Sequence, residues 1–292
     1  MTRQTESIRL SNGKVQLATA TSFGPRLTSF SLIGGENVLA VLGDLGIDRP
    51  DGRSYSLRGG HRLWAAPERP EVTYEPDDAA VSIVETHCGV EVTQQASDAV
   101  GLEKMLGICL QDRTVELTHV LTNRGDRPIE VAPWAITQLA PGGTAIIPLR
   151  RELADPHGHQ PNANITVWPY SGVDDSPFVM HDRLLLVNGD RTTPTKVGTT
   201  LDRGWLAYLH AGVVFVKRAF HDPSGNYTDL GASGQCYCNS DFVELETVGQ
   251  LATLHPQESV THLETWELHR VNDSTSPQDI PELLDLDRRS TA

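Results

Sequence analysis

Glu244 and Glu246 lie two residues apart in the run DFVELETVGQLATLHPQESVTHLETWEL, Asp241 to Leu268, among apolar and β-branched neighbours. In a strand the side-chain period is two and the rise about 3.3 Å per residue, so both carboxylates project to one side with Cα atoms about 6.6 Å apart. Glu264 and Trp266 repeat the arrangement after the intervening turn. A carboxylate pair on the inner face of a sheet is costly unless it is paired, hydrogen-bonded or used, which makes it a candidate site.

A second constellation is GGHRLWAAPE, which brings His61, Arg62, Trp64 and Glu68 together beside a glycine pair that permits unusual backbone angles. An imidazole, a cation, an indole face and a carboxylate suit a sugar, whose C–H faces lie on indole rings and whose hydroxyls accept from Arg and donate to carboxylates. Any one of the four could be an ordinary turn or core residue; together they favour a site. In PIEVAPWAITQLAPGG, Trp134 shares a strand face with Ile136 and Gln138. Lys196 in TPTKVGTT reads as exposed, whereas Lys217 in FVKRAF sits where an apolar residue is expected and calls for a carboxylate partner, Glu244 or Glu246. Tyr237 in QCYCNS is a weaker candidate for the same site, as are Tyr227 and Asp229 in NYTDL.

The eleven histidines give no metal signature: His157 and His159 in HGH lie near Asp155, but no further ligand follows at a familiar spacing. Glu244 and Glu246 with loop oxygens could hold a hard cation as a minor alternative; the expectation is no metal and no cofactor. A Gly-rich phosphate loop, a GxSxG elbow and an HExxH pair are all missing from the sequence. The four cysteines, Cys88, Cys109, Cys236 and Cys238, lack CxxC spacing and read as buried reduced thiols, with an extracytoplasmic disulfide as the alternative.

The elements that must position these residues are strands. Turn signals recur as SNG, IGG, NRGD, PGG, NGD and DPSGN, and between them KVQLATAT, TVELTHVLTN, WLAYLH, GVVFVKRAF and SVTHLETWEL alternate or are β-branched. No window sustains a helical period, so the chain is all-β. In TVELTHVLTN, Val115, Leu117, His119 and Leu121 share one side, but neither side is cleanly polar, which suits large stacked sheets. Gly43 to Glu68 and Leu149 to Pro177 read as long loops, where binding residues collect. Residues 1–271 are expected to form one domain and 272–292 a polar C-terminal tail, a strap or a disordered end. The chain has 292 residues, 38% of them hydrophobic, which is enough for a sizeable core. A net charge of -14 and no basic run argue against nucleic acid or an anionic membrane. The start, MTRQTESIRL, has no apolar segment of the leader type, and no stretch approaches the ~20 apolar residues of a membrane span. A cytoplasmic protein is expected, monomeric or homodimeric, with a small-molecule sugar as partner.

On these residues the chain resembles the galactose mutarotase-like superfamily, which includes the aldose 1-epimerases. VELETVGQLATLHPQESVTHLETWEL is similar to the family's closing pattern of a strand bearing the catalytic Glu, a loop, a PGE-like turn and a final strand, with Pro256, Gln257 and Glu258 at the turn. GGHRLW resembles the segment ending in Asn-Arg-Ile, with Arg62 at a sugar-contacting Arg and His61 at the Asn. LTNRGDRPIEVAPWAITQL resembles the stretch in which epimerases carry their acid histidine, and Trp134 stands at that position. The whole chain resembles a branch sharing HRLW, APE and ELET-type motifs more than it resembles the well-defined epimerases. The resemblance implies a large β-supersandwich of stacked, mainly antiparallel sheets. It further implies sugar-ring opening by general acid–base catalysis, an isomerase activity, with Glu246 as base. His61 is the first candidate for the missing acid, with Lys217 and Tyr237 behind it. Arg62, Trp64, Glu68, Trp134, Lys217, Tyr237 and Glu244 would contact or tune the substrate site. A non-catalytic carbohydrate-binding protein, or a glycoside lyase or hydrolase on the same scaffold, are the alternatives.

Overall fold

The computed structural model describes residues 7–150, 152–171, 178–190 and 193–287; residues 1–6 of the leader reading, 151 and 172–177 of the second loop, and 288–292 of the tail lie outside these. The turn-bounded runs become strands of two ten-stranded sheets. In the first, Ser7–Ser11, Val15–Ala20, Arg26–Leu32, Gly60–Ala66, Ile129–Leu139, Val243–Val248, Gly234–Cys238, Thr195–Thr199 and Thr166–Val167 neighbour one another in that order, and Ala252–Leu254 also pairs with Ile129–Leu139. In the second, the central order is Trp205–His210, Val213–Ala219, Ser259–Arg270, Val115–Asn123 and Leu102–Leu110. The pairings at the centre of both sheets are antiparallel, and the architecture is the expected β-supersandwich.

The two sheets stack through a core that includes Leu17, Phe30, Leu106, Phe215 and Trp266. Trp266 anchors it, with ring centroids 5.5 Å from Phe30 and 5.0 Å from Phe215; truncating such a side chain typically costs about 3–5 kcal/mol. The alternation behaves as its period requires: Val115, Leu117, His119 and Leu121 are buried and Glu116 is exposed. The tail docks on the outer face of the second sheet. Ile280 and Leu286 are buried there with Ile146, Trp205, Val214 and Val216, and Trp205 Nε1 donates to Asp287 Oδ1 at 3.0 Å. Among the described residues no helix is long and apolar enough to cross a membrane.

Two expectations are corrected. GGHRLWAA is not part of a long loop: Gly60–Ala66 is a strand in which all seven positions are buried, so covering both faces erased the alternation that would have marked it. A small hairpin, Gly46–Asp48 with Ser54–Ser56, occupies the stretch before it. The glycine pair is needed where the strand enters the sheet. Gly59 and Gly60 have φ of +80° and +76°, and a Cβ on Gly60 would fall 2.0 Å from the Leu27 carbonyl oxygen. The thiol reading holds for Cys236 and Cys238, which are buried and not joined in a disulfide. It fails for Cys88 and Cys109, which form a disulfide with Cα atoms 4.9 Å apart. Pairing of Gly89 with Cys109 across antiparallel strands brings the two together. Their separation of 21 residues gives no hint of this, because register rather than spacing decides it.

Candidate functional site

Adjacent strands of the first sheet line up side chains in rows. Trp64 stands beside Trp134, and Trp134 beside Val248. In the next row Arg62, Ile136, Glu246 and Gln235 follow one another across the sheet. In the third, Gly60, Gln138, Glu244, Tyr237 and Lys196 do so. Because the side-chain period is two, these rows share one face, whereas His61, Thr137, Leu245, Thr247, Cys236 and Cys238 project to the other.

The row-bearing face is concave. A cavity of about 400 Å³ is lined by Arg62, Trp64, Glu68, Tyr74, Trp134, Tyr170, Lys196, Tyr237 and Glu244, among others. Glu244 Oε1 accepts from Arg62 Nη2 and from Gln138 Nε2, both at 2.9 Å. Glu246 Oε2 accepts from Trp134 Nε1 at 2.7 Å and Lys196 Nζ at 2.8 Å. Each carboxylate is thus held by one oxygen. The cations rest on aromatic faces: the Arg62 guanidinium lies 4.1 Å from the Trp64 ring centroid, and Lys196 Nζ lies 4.5 Å from Trp134 and 4.8 Å from Trp168. Tyr74 donates to Glu68 at the rim. Burial pushes the Glu244 carboxyl above the usual range; Arg62 opposes the shift and Glu246 adds to it. The Tyr237 and Tyr170 hydroxyls are raised by burial and by the carboxylates nearby.

Several buried polar atoms around this cavity have no hydrogen-bond partner among the described residues: Glu246 Oε1, Gln138 Oε1, and Arg62 Nε and Nη1. Such atoms are costly when left unsatisfied, and together they offer both donors and acceptors. Arg62 and Lys196 balance Glu244 and Glu246, so the floor itself carries no net charge. The arrangement fits an uncharged ligand rich in hydroxyls, with apolar patches to lie on Trp64 and Trp134.

Behind the same strands, between the sheets, lies a second polar cluster. Lys217 is completely buried and pairs with Glu264 at 2.9 Å. It also donates to the Ala135 carbonyl at 2.8 Å, Thr137 Oγ1 at 3.0 Å and the Leu245 carbonyl at 3.1 Å. Trp266 Nε1 donates to Glu264 Oε2 at 2.9 Å, and Thr247 donates to Oε1. His61 Nε2 lies 2.8 Å from His119 Nε2, and its Nδ1 lies 3.0 Å from Thr137 Oγ1. His119 Nδ1 faces the His262 carbonyl at 3.1 Å and must carry a proton. Its Nε2 therefore accepts from His61, and His61 Nδ1 accepts from the Thr137 hydroxyl. Burial depresses both imidazoles, in keeping with neutral rings, and pushes Lys217 down against the pull of Glu264. For Glu264, burial is the largest single effect and raises the carboxyl, but Lys217 and, after it, the neighbouring imidazoles and the Thr247 hydroxyl together lower it. His61, His119 and Glu264 bring donor atoms within 4.8 Å of one another, as a metal site would. The His119 lone pair is already taken by the His61 N–H and the carboxylate by Lys217, so the groups satisfy one another without an ion.

Of the residues expected at the site, Arg62, Trp64, Glu68, Trp134, Tyr237 and Glu244 line one cavity. Glu246 lies at its floor, fully buried, reached through Lys196 and Trp134. His61 and Lys217 belong to the inter-sheet cluster, because each falls on the odd face of its strand. Lys217 pairs with Glu264, not with Glu244 or Glu246. Lys196 is not exposed; it is 4% accessible and paired with Glu246. The signal for it was present, since Thr195 and Val197 flank it as Val216 flanks Lys217. Tyr74, Trp168 and Tyr170 come from outside the site strands, and strand periodicity cannot find them.

Solved structures similar to this chain share its fold. A galactose mutarotase-like protein from Lactobacillus casei is 11% identical, with a TM-score of 0.60 over 90% of this chain and 100% of that one. A galactose mutarotase-like protein from Clostridium acetobutylicum is 10% identical, with a TM-score of 0.59 over 91% and 96%. The chain has the galactose mutarotase-like fold. No family model matches it, and no curated protein does.

Proposed function

We propose that the cavity binds a neutral sugar and that the protein interconverts its anomers, an aldose 1-epimerase-like activity. The observation that carries this reading is the cavity itself, in which Arg62, Lys196 and Glu244 stand beside the indoles of Trp64 and Trp134. A sugar ring would lie against the indoles and meet the charged groups with its hydroxyls. Ring opening needs a base for the anomeric hydroxyl. Glu244 is the carboxylate that lines the cavity, has one oxygen free of bonds to the described residues, and has its basicity raised by burial. Glu246 is enclosed and serves as the partner of Lys196. Exchange spectroscopy between the anomers of D-glucose, D-galactose and D-xylose tests the reading. Rates above buffer that fall at least 100-fold in Glu244→Gln are expected, since one positioned proton-transfer group is worth about 10² to 10⁴-fold. Rates equal to buffer for all three sugars would reject it.

Binding without turnover is the second reading. It is favoured by Trp134, which occupies the cavity where the resembled epimerases carry an acid histidine, and by His61 facing the inter-sheet cluster. Calorimetric binding of a sugar whose anomers exchange no faster than in buffer would select it.

A further inference from the structure

We propose that Lys196 is the acid of this site, delivering a proton to the ring oxygen while Glu244 takes one from the anomeric hydroxyl; this rests on the epimerase reading. Lys196 and Glu244 line the same cavity and stand in the same row of the sheet, on either side of Tyr237. With strands about 4.8 Å apart, their Cα atoms are about 10 Å apart. A pyranose lying over Tyr237 can meet the carboxylate on one side and the ammonium on the other.

The ammonium is built in rather than solvated. One N–H is directed to Glu246 Oε2 at 2.8 Å, and the charge lies over the faces of Trp134 and Trp168. No other hydrogen bond joins Nζ to the described residues, so two N–H groups remain for a ligand. The other polar groups of the cavity serve less well. Arg62 cannot release a proton at any working pH, burial makes the Tyr237 hydroxyl a poorer acid, and His61 faces away.

The protons balance. As Glu244 takes the O1 proton, the C1–O5 bond breaks, C1=O1 forms and O5 receives a proton from Nζ. After rotation about C1–C2, O5 attacks the other face of the carbonyl, its proton returns to the Lys196 amine, and Glu244 gives its proton to O1. Glu246 holds the lysine in place throughout. Nothing besides the sugar is consumed.

The test compares Lys196→Arg and the double variant Lys196→Met/Glu246→Gln with wild type, by anomer exchange on the same three sugars and by calorimetric affinity. Arg keeps the cation and the pairing with Glu246 but not the proton transfer. An acid role predicts a kcat at least 100-fold lower in Lys196→Arg with KM within about threefold of wild type. A positioning or purely electrostatic role predicts rescue by Arg, and a kcat within about threefold of wild type overturns the proposal. If Lys196→Arg does not give a cooperative thermal melt, the same criteria apply to the double variant, which removes both charges and leaves no unpaired carboxylate. Failure of wild type itself to accelerate exchange rejects the epimerase reading and Lys196's role with it. A wild type that accelerates exchange alongside a fully active Lys196 variant rejects only the latter.

Discussion

Lys217→Met places a near-isosteric apolar chain where the buried ammonium sits between the sheets. Glu264 is then left without its cation, 2% accessible, with the Thr247 hydroxyl and the Trp266 indole as its hydrogen-bond donors among the described residues. Breaking a buried pair from one side costs about 3–5 kcal/mol, and the carbonyls of Ala135 and Leu245 lose a donor besides. At about 2–4 °C per kcal/mol for large domains, the melting temperature should fall by roughly 6–20 °C. Lys217→Met/Glu264→Gln removes the stranded charge while leaving an amide to accept from Trp266 and to meet Thr247. It should recover more than half of the loss, although the two single losses would sum to more. Thermal melts and urea titrations of wild type, both single variants and the double variant make the cycle. A Lys217→Met melt within about 2 °C of wild type would refute the view that this pair ties the sheets together. A double variant no more stable than Lys217→Met would show that packing volume, not the stranded charge, caused the loss.

Other outcomes follow from the same geometry. Glu244→Gln should slow anomer exchange at least tenfold more than Glu246→Gln, measured as kcat at saturating sugar; the reverse order would exchange the roles of the two carboxylates. Trp64→Ala should weaken sugar binding by roughly 10- to 100-fold by calorimetry, since it removes an aromatic platform and the face beneath Arg62; unchanged affinity would move the ligand elsewhere. His262, held neutral by burial with its pKa lowered to about 3, makes stability acid-sensitive. Above about pH 6.5 neither state is protonated. Below it the unfolded chain binds a proton that the folded chain refuses until about pH 3, so stability falls by about 1.4 kcal/mol per pH unit across that window. His262→Gln should reduce the slope of melting temperature against pH between 6.5 and 4, with His61 and His119, also depressed by burial, supplying the remainder, and an unchanged slope would exclude His262 as a contributor. Cys88→Ser should cost about 3 kcal/mol through the loop that the disulfide closes; an equal melting temperature with and without reductant in wild type would show that the bond contributes nothing.

The all-β class was legible because turn residues punctuate β-branched runs at short intervals, and the shared face of Glu244 and Glu246 followed from period two alone. Arg62 and Trp64 were recognised as site residues even though their segment was read as a loop. Their chemistry is written in residue type, whereas their secondary structure is hidden by burial on both faces. What the sequence could not supply was which face of each strand is hollow. His61 and Arg62 are neighbours with equally functional side chains, and only the packing of the second sheet determines that one meets His119 and the other Glu244. The same ambiguity led to Lys217 being matched with the wrong carboxylates and Lys196 with solvent.

That ambiguity has a physical origin. The strands that form the cavity floor carry polar groups on both faces: Arg62 and Trp64 against His61, Gln138 against Thr137, and Glu244 and Glu246 against Thr247. An apolar inter-sheet layer would hold these strands by non-directional contact and tolerate small slips. Here Lys217 instead binds Ala135 and Thr137 on one floor strand, Leu245 on the next and Glu264 on the opposite sheet. Each of these bonds lies in a water-excluded interior, where a displaced partner would be left unsatisfied. Sliding Ile129–Leu139 against Val243–Val248 would break bonds on both faces at once, those of Lys217 below and those of Gln138 and Trp134 to the two carboxylates above. The buried cluster therefore fixes the spacing of the rows on which the cavity depends. A cluster that reads from sequence as a competing active site acts, in the folded chain, as the support of the site on the other face.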